Sequence, residues 1–305
     1  MEQKSMTALV SAFSRAYHAE NNKVKIFDDC IARLLLTDEE YHQISKSMAD
    51  GIDFFNPAFT GTQEAALRWV VDNQLSPSTL GRAAFAEKAL QTAVAIGAKQ
   101  YLILGAGYDT FAYRQAAWAD QLQIFEIDHP STAKDKQMRL EAAKIRIPNN
   151  VHFVSADFTK KQWLTPLTKN TAFNHAQISF CSILGVAYYL TRETFEELIS
   201  VLSSILPTGG AVIFDYPDEN NYTDKAGDRA KKQALLAGAA NEKMLTGYSY
   251  EEMEKILSSF GFFIYEHLTP TEMTKQYFAA YNHANPSFPM TGFDNVNYCL
   301  AVRKK

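Results

Sequence analysis

Residues 100–114 read QYLILGAGYDTFAYR, and this segment carries the pattern that decides the fold. A short apolar run, Tyr101–Leu104, is followed directly by Gly105 and Gly107. Such a run predicts a buried strand, and glycines at this spacing let the backbone turn sharply and approach a ligand, because no Cβ is in the way. Taken alone, the Gly-Ala-Gly tripeptide is explained as well by a tight turn between a strand and a helix.

Outward from this turn, short apolar runs alternate with helical patterns. The alternation predicts an α/β fold with a doubly wound, mostly parallel sheet of seven strands and helices on both faces. The predicted strands are Tyr101–Leu104, Gln123–Ile127, Val151–Val154, Gln177–Cys181, Ala211–Asp215, Phe262–Glu266 and Asn297–Arg303. The predicted helices between the first five strands are Thr110–Ala119, Ser131–Ile145, Thr159–Leu167 and Thr191–Leu206.

The chain before the glycine turn, residues 1–99, shows helical periodicity and no convincing strand. We predict that it forms a helical cap within the same domain as the core of residues 100–305. Inside that core, residues 218–250 are polar and alanine-rich and predict a partly helical, lid-like insertion. The helices predicted before the turn are Thr7–Glu20, Lys25–Leu36, Asp38–Asp50 and Ser78–Ile96, and Phe54–Gly61 is predicted to be a loop.

Composition and charge limit the classes of partner. Of the 305 residues, 47% are hydrophobic and 21% are charged, which is the ordinary balance of a globular protein. A net charge of −4 without a basic stripe argues against a nucleic-acid partner. The longest nearly apolar run, Ile178–Leu190, is well short of the ~20 residues that a membrane-spanning helix needs, so no membrane partner is expected.

The three cysteines, Cys30, Cys181 and Cys299, are far apart and odd in number. They form neither a zinc-binding pattern nor a disulfide framework, which indicates a reducing compartment. We therefore expect a cytoplasmic protein that holds no metal.

Two carboxylates end the second predicted strand, about 20 residues after the glycines, where nucleotide-binding sheets hold a ribose. A carboxylate at this place can accept hydrogen bonds from both ribose hydroxyls. Glu126 and Asp128 share one face of the strand, and Asp128 is nearer its exposed end. Asp128 is therefore the favoured ribose ligand, Glu126 is a second candidate, and a solvated carboxylate at a strand end is the structural alternative.

The third predicted strand leads into Asp157 and Phe158. An acidic residue followed by a large apolar one fits an adenine site at this place, with the carboxylate accepting from the exocyclic amine and the ring lying near the base. The pair is informative only through its position after the third strand.

The residues after the glycines separate two kinds of cofactor. Dinucleotide sites have a third small residue three positions beyond the second glycine and hold a pyrophosphate at the helix N-terminus. Here Thr110 takes that position, and the negative Asp109 would repel a pyrophosphate, whereas S-adenosylmethionine carries an ammonium and a sulfonium. The favoured direct role of Asp109 is nevertheless to cap the next helix. A nicotinamide-dependent oxidoreductase and a non-catalytic adenosyl-binding module stay open as alternatives.

Together, these motifs resemble the leucine carboxyl methyltransferase-like family, which includes the O-methyltransferases of polyketide pathways. The resemblance implies a class I, Rossmann-like methyltransferase fold, S-adenosyl-L-methionine as cofactor, and a small-molecule carboxylate or hydroxyl as acceptor. Methylation of a protein C-terminal carboxyl group is the alternative within the family. The segments that carry the resemblance are Leu104–Thr110 with Arg114, Glu126–Pro130, Asp157–Phe158, Tyr189–Thr191, Arg15-Ala16, Ile26–Asp29 and Gly81-Arg82.

The resemblance also implies which residues bind each part of the cofactor. Arg82 would pair with the carboxylate of the methionine moiety, assisted by Arg15, because a guanidinium fork matches a carboxylate. Without the resemblance, Arg82 reads as a surface charge on a helix. The other implied cofactor-binding residues are Gly105, Ala106 and Gly107 at the methionine portion, Asp128 at the ribose, and Asp157 and Phe158 at the adenine.

The sequence departs from the family pattern at two places. Phe111 stands where many members have Arg, and Leu184 stands where many have a Glu near the amino group of the cofactor. We expect Ser182 or a backbone carbonyl to replace that Glu, and the departure disfavours the phosphatase-modifying branch of the family.

The sequence assigns no catalytic residue. His129, Asp215 and Tyr216 lie near predicted strand ends and are conceivable helpers, but each has a plain structural alternative. A carboxylate acceptor needs no base, whereas a phenol, with a pKa near ~10, would benefit from one. Tyr222 and Tyr248 of the insertion could contact a planar acceptor, and a packing role is at least as well supported.

Overall fold

A computed structural model describes residues 5–158, 160, 162–239, 244 and 246–304. Within them, seven strands form one sheet in the order β3-β2-β1-β4-β5-β7-β6. The predicted α/β class, with its doubly wound and mostly parallel sheet, is confirmed. The strands are β1 (Gln100–Leu104), β2 (Gln123–Asp128), β3 (Val151–Ser155), β4 (Ser179–Ile183), β5 (Ala211–Pro217), β6 (Phe262–Leu268) and β7 (Val296–Arg303).

Helices precede the sheet and connect most of its strands. The α-helices of the described residues are α1 (Met6–Asn21), α2 (Asp38–Asp50), α3 (Ile52–Phe55), α4 (Gln63–Val70), α5 (Ser76–Ala95), α6 (Pro130–Ala142), α7 (Thr165–Thr168), α8 (Arg192–Ile205), α9 (Asp228–Ala239), α10 (Tyr250–Ser259), α11 (Pro270–Met273) and α12 (Ala279–Ala284).

Strand β1 lies in the centre of the sheet and is buried on both faces. Tyr101 and Ile103 belong to one hydrophobic cluster, and Leu102 and Leu104 belong to another. Because helices cover both faces, the strand is apolar at nearly every position rather than at alternate ones. This burial explains why β1 could be predicted so firmly from its sequence.

The strand order reverses between β1 and β4, and this reversal positions the site. Strand β1 runs parallel to both neighbours, and Leu104 at its end pairs with Ile127 of β2 and Ile183 of β4. In open parallel sheets, ligands bind in the crevice beyond the carboxyl ends of the strands at such a reversal. Strand β7 is antiparallel to β5 and β6, at the far side of the sheet.

The helix predicted over Thr110–Ala119 is wrong. The structure has two short 3₁₀ turns there, Phe111–Tyr113 and Ala117–Ala119. Asp109 accepts a hydrogen bond from the backbone N–H of Phe111 at 2.8 Å, and the Thr110 hydroxyl donates to Asp29 at 2.6 Å. These contacts hold the backbone in turns where the sequence pattern predicts a continuous helix.

Other predicted boundaries also differ from those in the structure. Of the helix predicted over Lys25–Leu36, only the 3₁₀ turn Ala32–Leu35 forms, because the Asp29 carboxylate accepts from the Ala32 N–H at 3.0 Å and orders the preceding loop. The fourth strand begins two residues later than predicted, and α3 extends into the predicted loop Phe54–Gly61. Within the predicted helix Thr159–Leu167, residues 159 and 161 lie outside the described part, and the helix observed nearby is α7.

The helices before the sheet pack against the core. Phe13 and Ala16 of α1 share a hydrophobic cluster with Tyr108 of the glycine turn and Leu140 of α6. Helices α4 and α5 are joined without a break by a π-helical turn, Val71–Leu75, in a stretch for which the sequence predicted no element. The insertion after β5 contains α9, as predicted for a partly helical segment, while residues 240–243 and 245 lie outside the described part.

Candidate functional site

A cavity of about 780 Å³ lies at the carboxyl ends of β1, β2 and β4. Its volume is in the range of pockets that enclose cofactors and other small ligands. The predicted site residues that line it are Arg82, Gly105, Ala106, Gly107, Asp128 and Phe158. Glu126, Asp157 and Ser182 are not among the described residues that line it.

The glycine turn after β1 forms one wall of the cavity and requires glycine for two reasons. Gly105 has φ of +70° and Gly107 has φ of +47°, in the left-handed region that other L-residues rarely adopt. A Cβ on Gly105 would also come within 2.5 Å of a methyl group of Val186. Glycine is therefore needed for the conformation of this turn, whose backbone lies at the wall of the cavity.

Asp128 connects the end of β2 to this turn. Its carboxylate accepts the backbone N–H of Gly107 at 2.5 Å and the backbone N–H of His129 at 2.6 Å. Burial raises the pKa of Asp128, and these two N–H groups act in the opposite direction. Each carboxylate oxygen has a second lone pair, so Asp128 can still accept hydrogen bonds from a ligand that lies in the cavity.

Glu126, two residues earlier on β2, is bound inside the protein. Only 2% of its surface is exposed, its carboxylate is 2.7 Å from the Lys136 ammonium, and Tyr113 donates to it at 3.1 Å. Burial raises the pKa of Glu126 in spite of Lys136. The sequence placed both carboxylates on one face, but Lys136 of α6 holds Glu126 away from the cavity, so only Asp128 lines it.

Removing the partner of Glu126 should lower stability. We expect Lys136→Met to reduce the free energy of unfolding by about 2 kcal/mol, since Glu126 is then buried without its cation and takes up a proton. The loss should be larger at high pH, because protonating the buried carboxyl group of Glu126 then costs more free energy. Urea unfolding measures this, with the exposed Lys134→Met on the same helix as control. Equal effects of the two variants would contradict the assigned role of the pair.

Ser182 and Asp157 are placed differently from the residues that line the cavity. Ser182 is fully buried in β4, and its hydroxyl is 3.0 Å from the hydroxyl of Tyr101. Because both are held within the sheet, Ser182 does not reach the place of the missing family Glu. Leu184, at that place, does line the cavity. Asp157 directly precedes Phe158 and is partly exposed beside the cavity.

Arg82 projects from α5 into the cavity. Its guanidinium lies 3.5 Å from the carboxylate of Asp215 and donates to the Ser11 hydroxyl at 3.2 Å. Asp215, fully buried on β5, also accepts from the Gly185 N–H at 2.7 Å and the Tyr188 hydroxyl at 2.9 Å. Burial opposes the charge of Arg82, but Asp215 raises its pKa above the ordinary value. Arg82 is thus a partly buried, oriented cation rather than a surface charge.

Arg15 belongs to α1, which forms another part of the cavity wall, and Asp29 holds its guanidinium in place. The two side chains are 2.8 Å apart, and Arg15 also donates to the backbone carbonyl of Tyr108 at 2.7 Å. Burial alone would raise the pKa of Asp29, but Arg15 and Arg114 lower it below its ordinary value. Arg114 is paired in turn with Glu87. This network attaches α1 to the glycine turn, and it explains why these scattered residues occur together in the family resemblance.

The rest of the cavity is mostly apolar and is formed by the helices before the sheet and by the insertion. Side chains from α1, α2, α3 and α9 contribute to it, and residue 244 adds a methionine. Two polar lining residues, Gln74 and Gln233, could not be predicted from the sequence, because neither lies in a recognisable motif. The apolar lining residues include Val10, Met48, Phe55, Leu75, Leu190, Leu236 and Met244.

None of the conceivable helpers lines the cavity among the residues described. The ring of His129 accepts the Ser131 N–H at the start of α6, and the Tyr216 hydroxyl is 2.8 Å from Nε2 of His267. The carboxylate of Asp215 is already bound by Arg82, the Gly185 N–H and the Tyr188 hydroxyl. Tyr248 is fully buried, where it packs against other aromatic rings, and neither it nor Tyr222 reaches the cavity.

Two further properties concern the described part of the chain. No helix in it combines the length and apolar character needed to cross a bilayer. No three of its histidine, cysteine, aspartate or glutamate side chains are grouped so that they could hold a metal ion.

Comparison with known proteins identifies relatives along the whole chain. The sequence profile of the leucine carboxyl methyltransferase family matches residues 8–203. YktD of Bacillus subtilis (strain 168), named as a candidate S-adenosyl-L-methionine-dependent methyltransferase, is 41% identical over 307 residues, and the match covers 99% of both chains. Rv3399 of Mycobacterium tuberculosis, with the same kind of name, is 28% identical over 50% of this chain and 43% of its own.

Solved structures share the fold at low sequence identity. A DUF574 family protein from Streptomyces avermitilis superposes with a TM-score of 0.61 at 13% identity and covers 96% of this chain and 97% of its own. A candidate methyltransferase from Thermobifida fusca gives a TM-score of 0.57 at 12% identity, with 99% and 96% covered. These two structures support the fold and its class.

Proposed function

Because the chain belongs to the leucine carboxyl methyltransferase family of S-adenosylmethionine-dependent methyltransferases, we propose that it methylates an oxygen atom of a small molecule. The acceptor group is a carboxylate or a hydroxyl, and the acceptor is polyketide-like. The observation that carries this proposal is the cavity at the carboxyl ends of the strands, in which an oriented cation and the glycine turn adjoin a largely apolar chamber. Membership in the family sets aside the oxidoreductase and the non-catalytic module.

The residues of the cavity fit the cofactor. Arg82 is a partly buried cation that would hold the carboxylate of the methionine moiety, and the glycine turn forms the adjoining wall of the cavity. Asp128 would hold the ribose hydroxyls with its remaining lone pairs. Phe158 would lie against the adenine, with Asp157 beside it. Arg15, which Asp29 holds, would assist Arg82 rather than replace it.

The chain contributes alignment and exclusion of water. When bound, S-adenosylmethionine supplies a methyl group on a sulfonium, so that a carbon–oxygen bond forms while the carbon–sulfur bond breaks and its electron pair stays on sulfur. Arg82 and Asp128 fix the two ends of the cofactor site, and the apolar chamber holds the acceptor in line and away from bulk water. A hydroxyl acceptor reacts after it has lost its proton to solvent, whereas a carboxylate acceptor has none to lose.

The helices before the sheet and the insertion act as a cover over the acceptor. This proposal rests on Val10 of α1, Phe55 of α3 and Leu236 of α9, which line one chamber although they come from distant parts of the chain. A cover built from connecting segments can differ between relatives while the cofactor end stays the same. Methylation of a protein C-terminus, the alternative within the family, would need this cover to admit a peptide chain.

Calorimetric titration and a transfer assay test the proposal. We expect S-adenosylmethionine and S-adenosylhomocysteine to bind the purified protein and NAD not to bind. With radiolabelled methyl donor, the label should appear in small hydroxyl or carboxyl compounds and not in a peptide with a free C-terminal leucine. Failure of both adenosyl compounds to bind would refute the cofactor site, and labelling of the peptide alone would favour the alternative.

The pH dependence of the reaction separates the two acceptor groups. With a phenolic acceptor, kcat/KM should rise about tenfold per pH unit below the acceptor's pKa of ~10, because no described side chain in the cavity is assigned as a base. With a carboxylate acceptor, kcat/KM should be flat above about pH 5. Initial rates across this range measure the difference, and a bell-shaped profile with a phenol would instead indicate a base that the present assignment lacks.

We also propose that the protein works in the cytoplasm. All three cysteines are free thiols, Cys30 exposed and Cys181 and Cys299 buried, which suits a reducing compartment. Fractionation of cells that express the tagged protein tests this proposal.

A further inference from the structure

Two polar side chains line the cavity without a hydrogen-bond partner among the residues that the structure describes. Gln74 is 7% exposed and Ser78 is 5% exposed, and both line the cavity. Neither side chain forms a hydrogen bond with another described residue, whereas buried polar groups in proteins are almost always paired. An amide and a hydroxyl that line a cavity and lack a described partner therefore point to a ligand that pairs with them.

Other polar side chains in the same stretch of the chain do have hydrogen-bond partners. Ser76 and Thr79 lie in the same stretch, and both are paired with the hydroxyl of Ser14 on α1, at 3.3 and 2.7 Å. Ser76 and Thr79 thus have partners on α1, even though Thr79 also lines the cavity, whereas Gln74 and Ser78 line it without a described partner. Solvent exposure does not explain the difference, because Gln74 and Ser78 are at least nine-tenths buried, as Ser76 is.

The backbone has an unusual conformation at the same place. Gln74 belongs to the π-helical turn Val71–Leu75, which runs directly into α5, where Ser78 follows. Single π-helical turns within α-helices occur frequently at functional sites, because they redirect side chains that a regular helix would place elsewhere. Here the turn brings an amide into the cavity one helical turn before the hydroxyl.

The charges of the cavity indicate what kind of acceptor these groups would receive. Among the described lining residues the cations are Arg15, Arg82 and Arg114, and none is a lysine or histidine. Arg15 is paired with Asp29, and Arg114 is paired with Glu87. Arg82 is assigned to the cofactor carboxylate. No described cation is therefore left for a second carboxylate, and burial of an unpaired anion is costly.

We infer that Gln74 and Ser78 form the polar contact of the acceptor subsite, and that the acceptor is an uncharged hydroxyl compound with an apolar body. This inference rests on the proposed function and selects the hydroxyl from its two acceptor groups. The amide can donate and accept, and the hydroxyl can do both, so the pair recognises a neutral polar group without demanding charge. Val10, Phe55 and Leu75 supply the apolar surroundings.

A matched pair of probes tests the inference. Binding of 2-naphthol and of 2-naphthoic acid, which share one bicyclic body, is measured by calorimetry near neutral pH on protein saturated with S-adenosylhomocysteine. We expect 2-naphthol to bind at least about tenfold more tightly than the carboxylate. Gln74→Leu should weaken 2-naphthol binding about tenfold and Ser78→Ala about threefold, while the affinity for S-adenosylhomocysteine stays within about twofold. Gln91→Leu, exposed on the same helix, is the matched control and should change neither affinity.

The outcomes separate the inference from the proposed function. Equal or tighter binding of 2-naphthoate, binding of neither probe, or unchanged or tighter 2-naphthol binding in Gln74→Leu would each overturn the inference. In all of these cases the wild-type protein still binds S-adenosylhomocysteine. Loss of that binding in the wild type would instead refute the proposed function itself.

Discussion

Asp128→Ala should weaken the binding of S-adenosylmethionine at least about a hundredfold, since hydrogen bonds from two ribose hydroxyls to a carboxylate are lost. The substitution also removes the acceptor for the Gly107 N–H, which holds the glycine turn against β2. Both effects act in the same direction, because the turn and the carboxylate are proposed to contact neighbouring parts of one ligand.

Calorimetry with two ligands shows where the loss arises. 5′-Methylthioadenosine has the ribose and the adenine but lacks the amino acid end, so Asp128→Ala should weaken its binding as strongly as that of S-adenosylmethionine. Asp128→Asn retains one oxygen acceptor, which can serve one of the two backbone N–H groups, and should lose less, about tenfold. An unchanged affinity of Asp128→Ala, with a melting temperature near that of the wild type, would contradict the ribose assignment.

The contrast between Asp128 and Glu126 shows how far the sequence could lead. Both are acidic, both lie on β2, and strand periodicity places them on one face. The difference between them comes from Lys136, which lies on the next helix and pairs with Glu126 at 2.7 Å. A pattern along one strand cannot reveal a partner that another element supplies, so the sequence could favour Asp128 only by its nearness to the strand end.

The same limit explains the two helices that were predicted and did not form. Thr110–Ala119 and Lys25–Leu36 have acceptable helical periodicity, but both adjoin Asp29 in the fold. Its buried carboxylate accepts hydrogen bonds from Thr110 and Arg15, which are distant in sequence, and from the nearby Ala32 N–H. Together these contacts override the helical preference of both segments. By contrast, β1 and α8 were predicted well, because the signals for them stand in the local sequence. For β1 the signal is a continuous apolar run, and for α8 it is the cap that Thr191 forms by accepting the Thr194 N–H.

The acceptor end could not be predicted at all. Gln74 lies in a stretch with no predicted element, and its significance depends on a π-helical turn and on the absence of a partner among the described residues. Neither property can be recognised from a sequence motif. Arg82 could be predicted only in part. The family resemblance implies its role, but the residue that orients its guanidinium, Asp215, is 133 residues further along the chain and is known only from the structure.

Arg82→Met should reduce the affinity for S-adenosylmethionine by about 30- to 100-fold, which is the worth of a charge-assisted contact in a partly enclosed site. The affinity for 5′-methylthioadenosine should stay within about threefold, because that ligand has no carboxylate for Arg82 to bind. This split distinguishes Arg82 from Asp128, whose removal weakens both ligands. Lys88→Met, an exposed cation on the same helix, is the control and should change neither affinity.

Loss of Arg82 also leaves the buried Asp215 without its cation, so a general loosening of the site has to be separated from a lost contact. Asp215 keeps the Gly185 N–H and the Tyr188 hydroxyl as donors. The double variant Arg82→Met/Asp215→Asn removes the unpaired charge and should regain thermal stability without regaining affinity for S-adenosylmethionine. If the double variant recovers both, Arg82 acts on the fold through Asp215 and the cofactor carboxylate is bound elsewhere, with Arg15 on the facing helix as the next residue to substitute.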